Sequence, residues 1–171
     1  MQPIMPCLWF DTQALEAARF YTSIFRRSQV TEITRYSAAG PAKKGSVMTV
    51  RFELDGQEFL ALNGGPQYKF TPAVSLSVNC KNQKEVDRLW KKLLRGGQEQ
   101  ACGWVTDKYG LSWQIVPRVL SKSIASKDPA KVERVMKAMF TMKKIDVAAI
   151  EKAAKAKPAR AKGATTAKTA A

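Results

Sequence analysis

The groups that could do chemistry in this chain are carboxylates, amides, hydroxyls, thiols and aromatic rings, because none of its 171 residues is a histidine. The commonest general base and transition-metal ligand is therefore absent, and with it every Ser-His or Cys-His nucleophile pair. Acid–base work would fall to Asp, Glu, Lys, Tyr or Cys. The three cysteines, Cys7, Cys80 and Cys102, lie far apart without C-x-x-C spacing. That pattern suits reduced, buried thiols better than a disulfide framework. Cys102 becomes a nucleophile only where something lowers its pKa, and no imidazole is available to do so. No two glycines stand as G-x-G, so the dinucleotide fingerprint and the glycine-rich loop of the common adenosylmethionine-binding Rossmann fold are both missing. Gly40 to Ser46 has phosphate-loop glycine spacing but no lysine after its second glycine, and reads as a mobile, basic hairpin loop. No residue can be assigned a catalytic role from these patterns.

Amides and rings concentrate in Cys102 to Pro117, which reads as two short strands joined by a turn at Gly110. Val105, Trp113, Ile115 and Val116 supply β-favouring bulk, and Trp104 and Trp113 are two of the four tryptophans. Such a hairpin serves either as plain core or as the wall of a site, and the spacing leaves both open. Asp107 is expected to shape the turn before Gly110 rather than to act as a base.

The elements that must position this hairpin follow from periodicity. Met5 to Phe10 is a first strand, and Asp11 or Thr12 can cap a helix over Gln13 to Phe25, with Ala17, Phe20, Tyr21, Ile24 and Phe25 on one face. Gln29 to Ser37 reads as a strand. Ser46 to Leu54 alternates clearly, Asp55-Gly56 is a hairpin turn, and Gln57 to Leu62 returns. The pattern then repeats: a strand at Val74 to Val78, a capping box of Asn82 and Glu85, and a helix burying Val86, Leu89, Trp90, Leu93 and Leu94. Strands near Gln98 to Gln100, Cys102 to Asp107 and Leu111 to Val116 complete it. Gly56-x-x-Phe59-Leu60 corresponds to Gly110-x-x-Trp113-Gln114. Two copies of strand–helix–strand–strand–strand predict an α+β fold, paired βαβββ modules forming two facing curved sheets around a cleft. The double module is expected over 1–118 and a helical extension over 119–157. Asp128-Pro129 starts a helix there with Val132, Val135, Met136, Met139 and Phe140 on one face, and Ile145 to Lys157 forms a shorter one. Residues 158–171, rich in Lys and Ala, bury nothing and are expected to be a disordered basic tail.

Net charge is +15, and the last twenty residues contribute six basic side chains and no acidic one, which leaves the body at +9. Such a field attracts nucleic acid, anionic membrane or anionic small molecules without choosing among them. No apolar run is long enough to cross a bilayer, and no secretory signal is visible, so a cytoplasmic protein without a membrane partner is expected.

D-K-Y-G-L-S-W-Q-I (Asp107 to Ile115) resembles the last hairpin of the vicinal-oxygen-chelate superfamily, which includes glyoxalase I, extradiol dioxygenases and bleomycin-resistance proteins. Further segments resemble its PhnB-like branch, whose members often carry the label 3-demethylubiquinone-9 3-methyltransferase. They are Cys7 to Asp11, Ala18 to Phe25, Gly45 to Phe59, Ala61 to Pro66, Glu85 to Trp90 and Met142 to Asp146. The resemblance implies a glyoxalase-like fold and a homodimer, with the Met136, Met139 and Phe140 face available for exchange. The superfamily's metal ligands would fall at Ile4 to Pro6, Leu60 or Asn63, Ala73 or Ser75, and Gln114. These offer amide and hydroxyl oxygens only, so no metal and no cofactor is expected.

The cleft that the resemblance implies would be lined by Trp9, Phe59, Asn63, Trp104, Trp113 and Gln114. Aromatic walls with a few amides suit a flat, partly polar organic ligand, aromatic or quinone-like. The tryptophans equally suit a plain core. Whether such a protein binds or transforms its ligand stays open. The alternative is a basic interaction protein whose tail, similar to the lysine–alanine extensions of bacterial histone-like proteins, contacts nucleic acid nonspecifically. Such a tail can also serve only to solubilise the chain.

Overall fold

The structure is a computed structural model that describes residues 2–156. The first module runs β1 (Cys7–Phe10), α1 (Ala14–Ile24), β2 (Gln29–Arg35), β3 (Val47–Leu54) and β4 (Gln57–Asn63). The second runs β5 (Ser75–Cys80), α2 (Gln83–Leu93), β6 (Gln98–Glu99), β7 (Trp104–Thr106) and β8 (Ser112–Pro117). Three helices follow: α3 (Arg118–Ile124), α4 (Pro129–Phe140) and α5 (Val147–Lys155). The two sheets have the orders β1-β4-β3-β2 and β5-β8-β7-β6. In each sheet one edge pair is parallel, β1 with β4 and β5 with β8, and the other ladders are antiparallel. The repeat read from periodicity is thus a repeat of topology.

Local sequence explains most of these elements. In β3 the alternation buries Val50, Phe52 and Leu54 and leaves Thr49, Arg51 and Glu53 half-buried, as a strand covered on one face requires. The return into β4 is tight because Asp55 and Gly56 both take positive φ, 50° and 90°, the backbone of a type I′ hairpin. At α2, Asn82 Oδ1 accepts from the Glu85 amide at 3.1 Å, while Glu85 Oε2 accepts from the Lys81 amide at 2.7 Å. Asp128 and Asp146 cap α4 and α5 through their side chains.

Two local expectations are corrected and one helix is added. α1 has no cap from Asp11 or Thr12; its N-cap is Gln13 without a side-chain bond. The orphan Ala14 amide instead donates to Asn63 Oδ1 of β4 at 2.7 Å, so the cap is tertiary. β7 starts at Trp104 rather than Cys102, because Cys102 and Gly103 turn to φ 59° and 83°. Residues 118–124, which carry no helix-start signal beyond Pro117, form α3 directly after β8. The tail expectation for 158–171 lies outside the described residues.

One apolar core spans both modules, with α1, α2 and the inward faces of both sheets contributing. A smaller cluster of Leu120, Val135, Ile145 and Ile150 holds the C-terminal helices together, and Val116 of β8 packs against it. The first core contains a polar node. Asp107 Oδ2 accepts from the Tyr21 hydroxyl of α1 at 2.9 Å and from Trp113 Nε1 at 2.8 Å, and Oδ1 accepts from the Tyr109 and Leu111 amides at 2.8 and 3.1 Å. Asp107 therefore does shape the turn, and it also joins the first module to the second.

Burial holds the Asp107 carboxyl above the ordinary aspartate range, against four donors that favour the anion. A raised carboxyl stabilises the fold fully below its unfolded pKa, about 3.9, and that contribution is lost as pH rises through the raised folded value. Asp107→Asn should cost about 1–3 kcal/mol near neutral pH, because an amide has one accepting oxygen where the carboxylate has two, and its NH2 would face either the Tyr21 and Trp113 donors or the Tyr109 and Leu111 amides. Urea denaturation should show the loss to be larger at about pH 3.5 than at about pH 7, in line with this linkage. An equal loss at both values would contradict it.

Candidate functional site

Strand alternation divides β8 between two environments. Trp113 and Ile115 face the core, whereas Gln114 and Val116 face the opposite side. Trp104 is the register partner of Gln114 on the neighbouring β7, so its ring stands on the same outer face. Gln114 Nε2 donates to Ser75 Oγ of β5 at 2.8 Å. Its amide oxygen takes no hydrogen bond from the described residues.

The C-terminal helices convert this face into a cavity of about 340 Å³. Cys102, Trp104, Gln114 and Val116 form the sheet side, and Leu120, Ser121, Ile124, Ala125 and Met139 of α3, α4 and their junction form the other. The closure is pinned by backbone: the Cys102 amide donates to Met142 O at 2.8 Å and the Gly103 amide to Lys143 O at 2.7 Å. Gly103 has to be glycine here, since its φ is 83° and a Cβ would stand 3.0 Å from both the Ile115 carbonyl oxygen and the Ile145 side chain.

The other expected site residues lie elsewhere. Trp9 lines a separate recess of about 350 Å³ with Tyr68, Phe70 and Tyr109. Its Nε1 donates to Gly65 O at 2.8 Å, and its ring covers Gly64 so closely that a Cβ there would come within 2.2 Å. Phe59 and Trp113 are buried and meet at a third cavity, between the modules. Phe59 stacks on Phe52 and Trp113 on Phe25. Asn63 spends both ends of its amide inside the fold, with Oδ1 on Ala14 N and Nδ2 on Val47 O at 3.0 Å. The six residues are thus distributed over three cavities and one tertiary cap, and only Trp104 with Gln114, and Phe59 with Trp113, are brought together. The sequence carried a signal for this division, since neighbours in a strand point to opposite faces.

Of the titratable groups that are shifted, Tyr109 alone lines one of these cavities. Burial pushes the Cys80 thiol up to about 12, raises Cys7, and holds the Tyr21 hydroxyl well above its ordinary value. Tyr109 is pushed up to about 12, first by burial and then by its bond to Glu16. Glu16 is itself lowered by Lys108 and Tyr109. No carboxylate lines the Gln114 cavity. Its chemistry is that of shape, ring contact, one amide, one hydroxyl and one thiol. A divalent metal does not fit this donor set: Ser75 and Gln114 are neutral, and Leu60 offers no side-chain donor. Among the described residues no group of three or more His, Cys, Asp or Glu could hold one.

Among solved structures, the PhnB protein from Bacillus cereus is 38% identical with a TM-score of 0.63, covering 68% of this chain and 99% of its own. A protein from Pseudomonas aeruginosa is 22% identical with a TM-score of 0.58, over 68% of this chain and 98% of its own. A glyoxylase/bleomycin resistance protein/dioxygenase domain from Frankia has 18% identity and a TM-score of 0.41, over 66% and 94%. Nothing among curated proteins matches. Residues 2–116 match the 3-demethylubiquinone-9 3-methyltransferase family, a stretch that holds both βαβββ modules and stops inside β8, before the helices that roof the Gln114 cavity. On that match, and on the fold and 38% identity shared with the PhnB protein, the chain belongs to the 3-demethylubiquinone-9 3-methyltransferase family.

Proposed function

We propose that this protein binds a small aromatic or quinone-like molecule in the cavity between the outer face of β7 and β8 and the C-terminal helices, without a metal. The observation that carries this reading is Gln114. Its amide nitrogen is held by Ser75, which leaves the oxygen as an oriented acceptor beside the Trp104 ring in an otherwise mainly apolar cavity. Such a site suits a flat body with one hydroxyl or amine donor. A cavity of about 340 Å³ sits at the small end of the ligand range. The family description suggests methyl transfer. The cavity holds no carboxylate for a ribose diol and the chain has no G-x-G loop, so adenosylmethionine does not fit this cavity.

A hydroxynaphthoquinone is expected to quench tryptophan fluorescence saturably. Gln114→Ala should weaken that binding by about 1–2 kcal/mol with little effect on folding, since the amide accepts no core donor. Paired titration and denaturation curves check this; a stability loss with unchanged affinity would assign Gln114 to structure alone. Trp113→Ala is a poorer probe, because emptying a buried tryptophan site costs about 3–5 kcal/mol of stability. Elemental analysis after desalting should find no stoichiometric Zn, Fe, Ni or Mn, and about one per chain would defeat the metal-free reading.

The same reading includes a homodimer formed through the helical extension. Met139 turns inward onto the small apolar cluster. Met136, Phe140 and Ile124 line an open groove, with Phe140 63% and Ile124 39% exposed. A second copy would remove those side chains from water. Sedimentation should give twice 18.9 kDa, and Phe140→Lys should shift it toward the single chain. A wild-type protein that sediments only as the single chain would end this part of the proposal.

A further inference from the structure

The inter-module cavity is separate from the one assigned above. It measures about 820 Å³ and contains Trp113 rather than Gln114, so β8 itself stands between the two. Its floor is apolar and partly aromatic: Phe25, Phe59, Leu76, Val78, Leu89 and Trp113. Its rim carries Arg26, Arg27, Lys81, Arg88 and Arg118 against only two carboxylates, Asp55 and Glu85.

Both carboxylates are already engaged. Asp55 Oδ1 accepts from Arg27 Nε at 2.8 Å, and Glu85 Oε2 accepts from the Lys81 amide at 2.7 Å. Arg26, Lys81 and Arg118 make no ion pair among the described residues. Arg88 is different from these exposed side chains. It is half-buried, and its Nη1 donates to the Ile24 carbonyl at the end of α1 at 2.7 Å. That bond fixes the guanidinium plane, and the remaining N–H groups have no acceptor among the described residues. A guanidinium held in place loses little freedom when an anion docks.

We propose that this cavity is a second ligand site, for an organic anion with an apolar body. The body rests against the Phe25, Phe59 and Trp113 rings. The anionic head meets Arg88, with Arg26, Lys81 and Arg118 around the mouth. A charged rim above a low-dielectric floor concentrates anions at the opening, and the planar arginine fork matches a carboxylate or phosphate edge.

Calorimetric titration of the full-length protein with 2-naphthoate, and with its neutral methyl ester, tests this. The acid should bind one per chain and at least about tenfold tighter than the ester, a difference of about 1.4 kcal/mol. Arg118→Gln and Arg26→Gln, both at exposed positions, should each weaken the acid severalfold and leave the ester unchanged. Arg88→Gln should weaken it most, provided circular dichroism shows α1 intact. Lys137→Gln, on α4 away from this cavity, and Gln114→Ala should change nothing. Equal binding of acid and ester overturns the proposal. So does a loss with Lys137→Gln equal to that with Arg118→Gln, which would ascribe binding to overall charge. Loss of acid binding with Gln114→Ala would also overturn it, by moving the ligand to the other cavity.

Discussion

A single buried carboxylate ties the two βαβββ modules together inside the apolar core they share. Asp107 receives the hydroxyl of Tyr21 from the first module and the indole N–H of Trp113 from its own. Both rings are almost wholly buried, as is the carboxyl. Each donor would be costly to leave unpaired in that setting, and one oxygen satisfies both. The geometry that results governs what surrounds it. Tyr21 and Trp113 stand 5.3 Å apart, Trp113 stacks on Phe25, and Tyr21 leans on Phe52 of β3. The inter-module cavity opens beside this ring cluster, so its floor inherits the rigidity of the node.

Strand alternation then decides which chemistry each cavity can have. Phe59 and Trp113 are equivalent in the repeat and both fall on the core side, where they meet between the modules. Leu60 and Gln114 are also equivalent and both fall on the outer side. On the first sheet that outer position is a leucine; on the second it is an amide beside a tryptophan and a serine. The repeat therefore supplies two matching scaffolds, with an amide beside Trp104 on the second sheet where the first has a leucine beside Arg51.

The fold was legible in the sequence because its signals are local. Asp55-Gly56, Asn82 with Glu85, Asp128-Pro129 and the alternation of Val50, Phe52 and Leu54 each act within a few residues. The site was legible only in part, because its decisive contacts are distant. Tyr21 and Asp107 lie 86 residues apart, and Asn63 caps a helix 49 residues upstream. Asn63 resembled a cleft amide for want of any local sign that α1 lacks its own cap. Trp113 and Gln114 were grouped in one wall although a strand separates neighbours. The α3 helix has no start signal beyond Pro117, so of the roof over the Gln114 cavity only the α4 side, with Met139, is legible in the sequence.

The helical extension has its own physical logic. An outer sheet face carrying Trp104 and Val116 is too apolar to be left open at little cost, and α3 to α5 cover it with Leu120, Val135, Ile145 and Ile150 behind. The covering is incomplete at one place. Where Gln114 interrupts the apolar face, the helices present Ser121, Ala125 and Met139, and a cavity remains. A larger side chain at Ala125 would fill that space without touching the core, whereas Met139 can adjust its rotamers to what occupies the cavity. The family match ends inside β8, so the helical side of this cavity lies beyond the matched segment while its sheet side lies within it. The same βαβββ pair under a different extension would present a different cavity around the same glutamine.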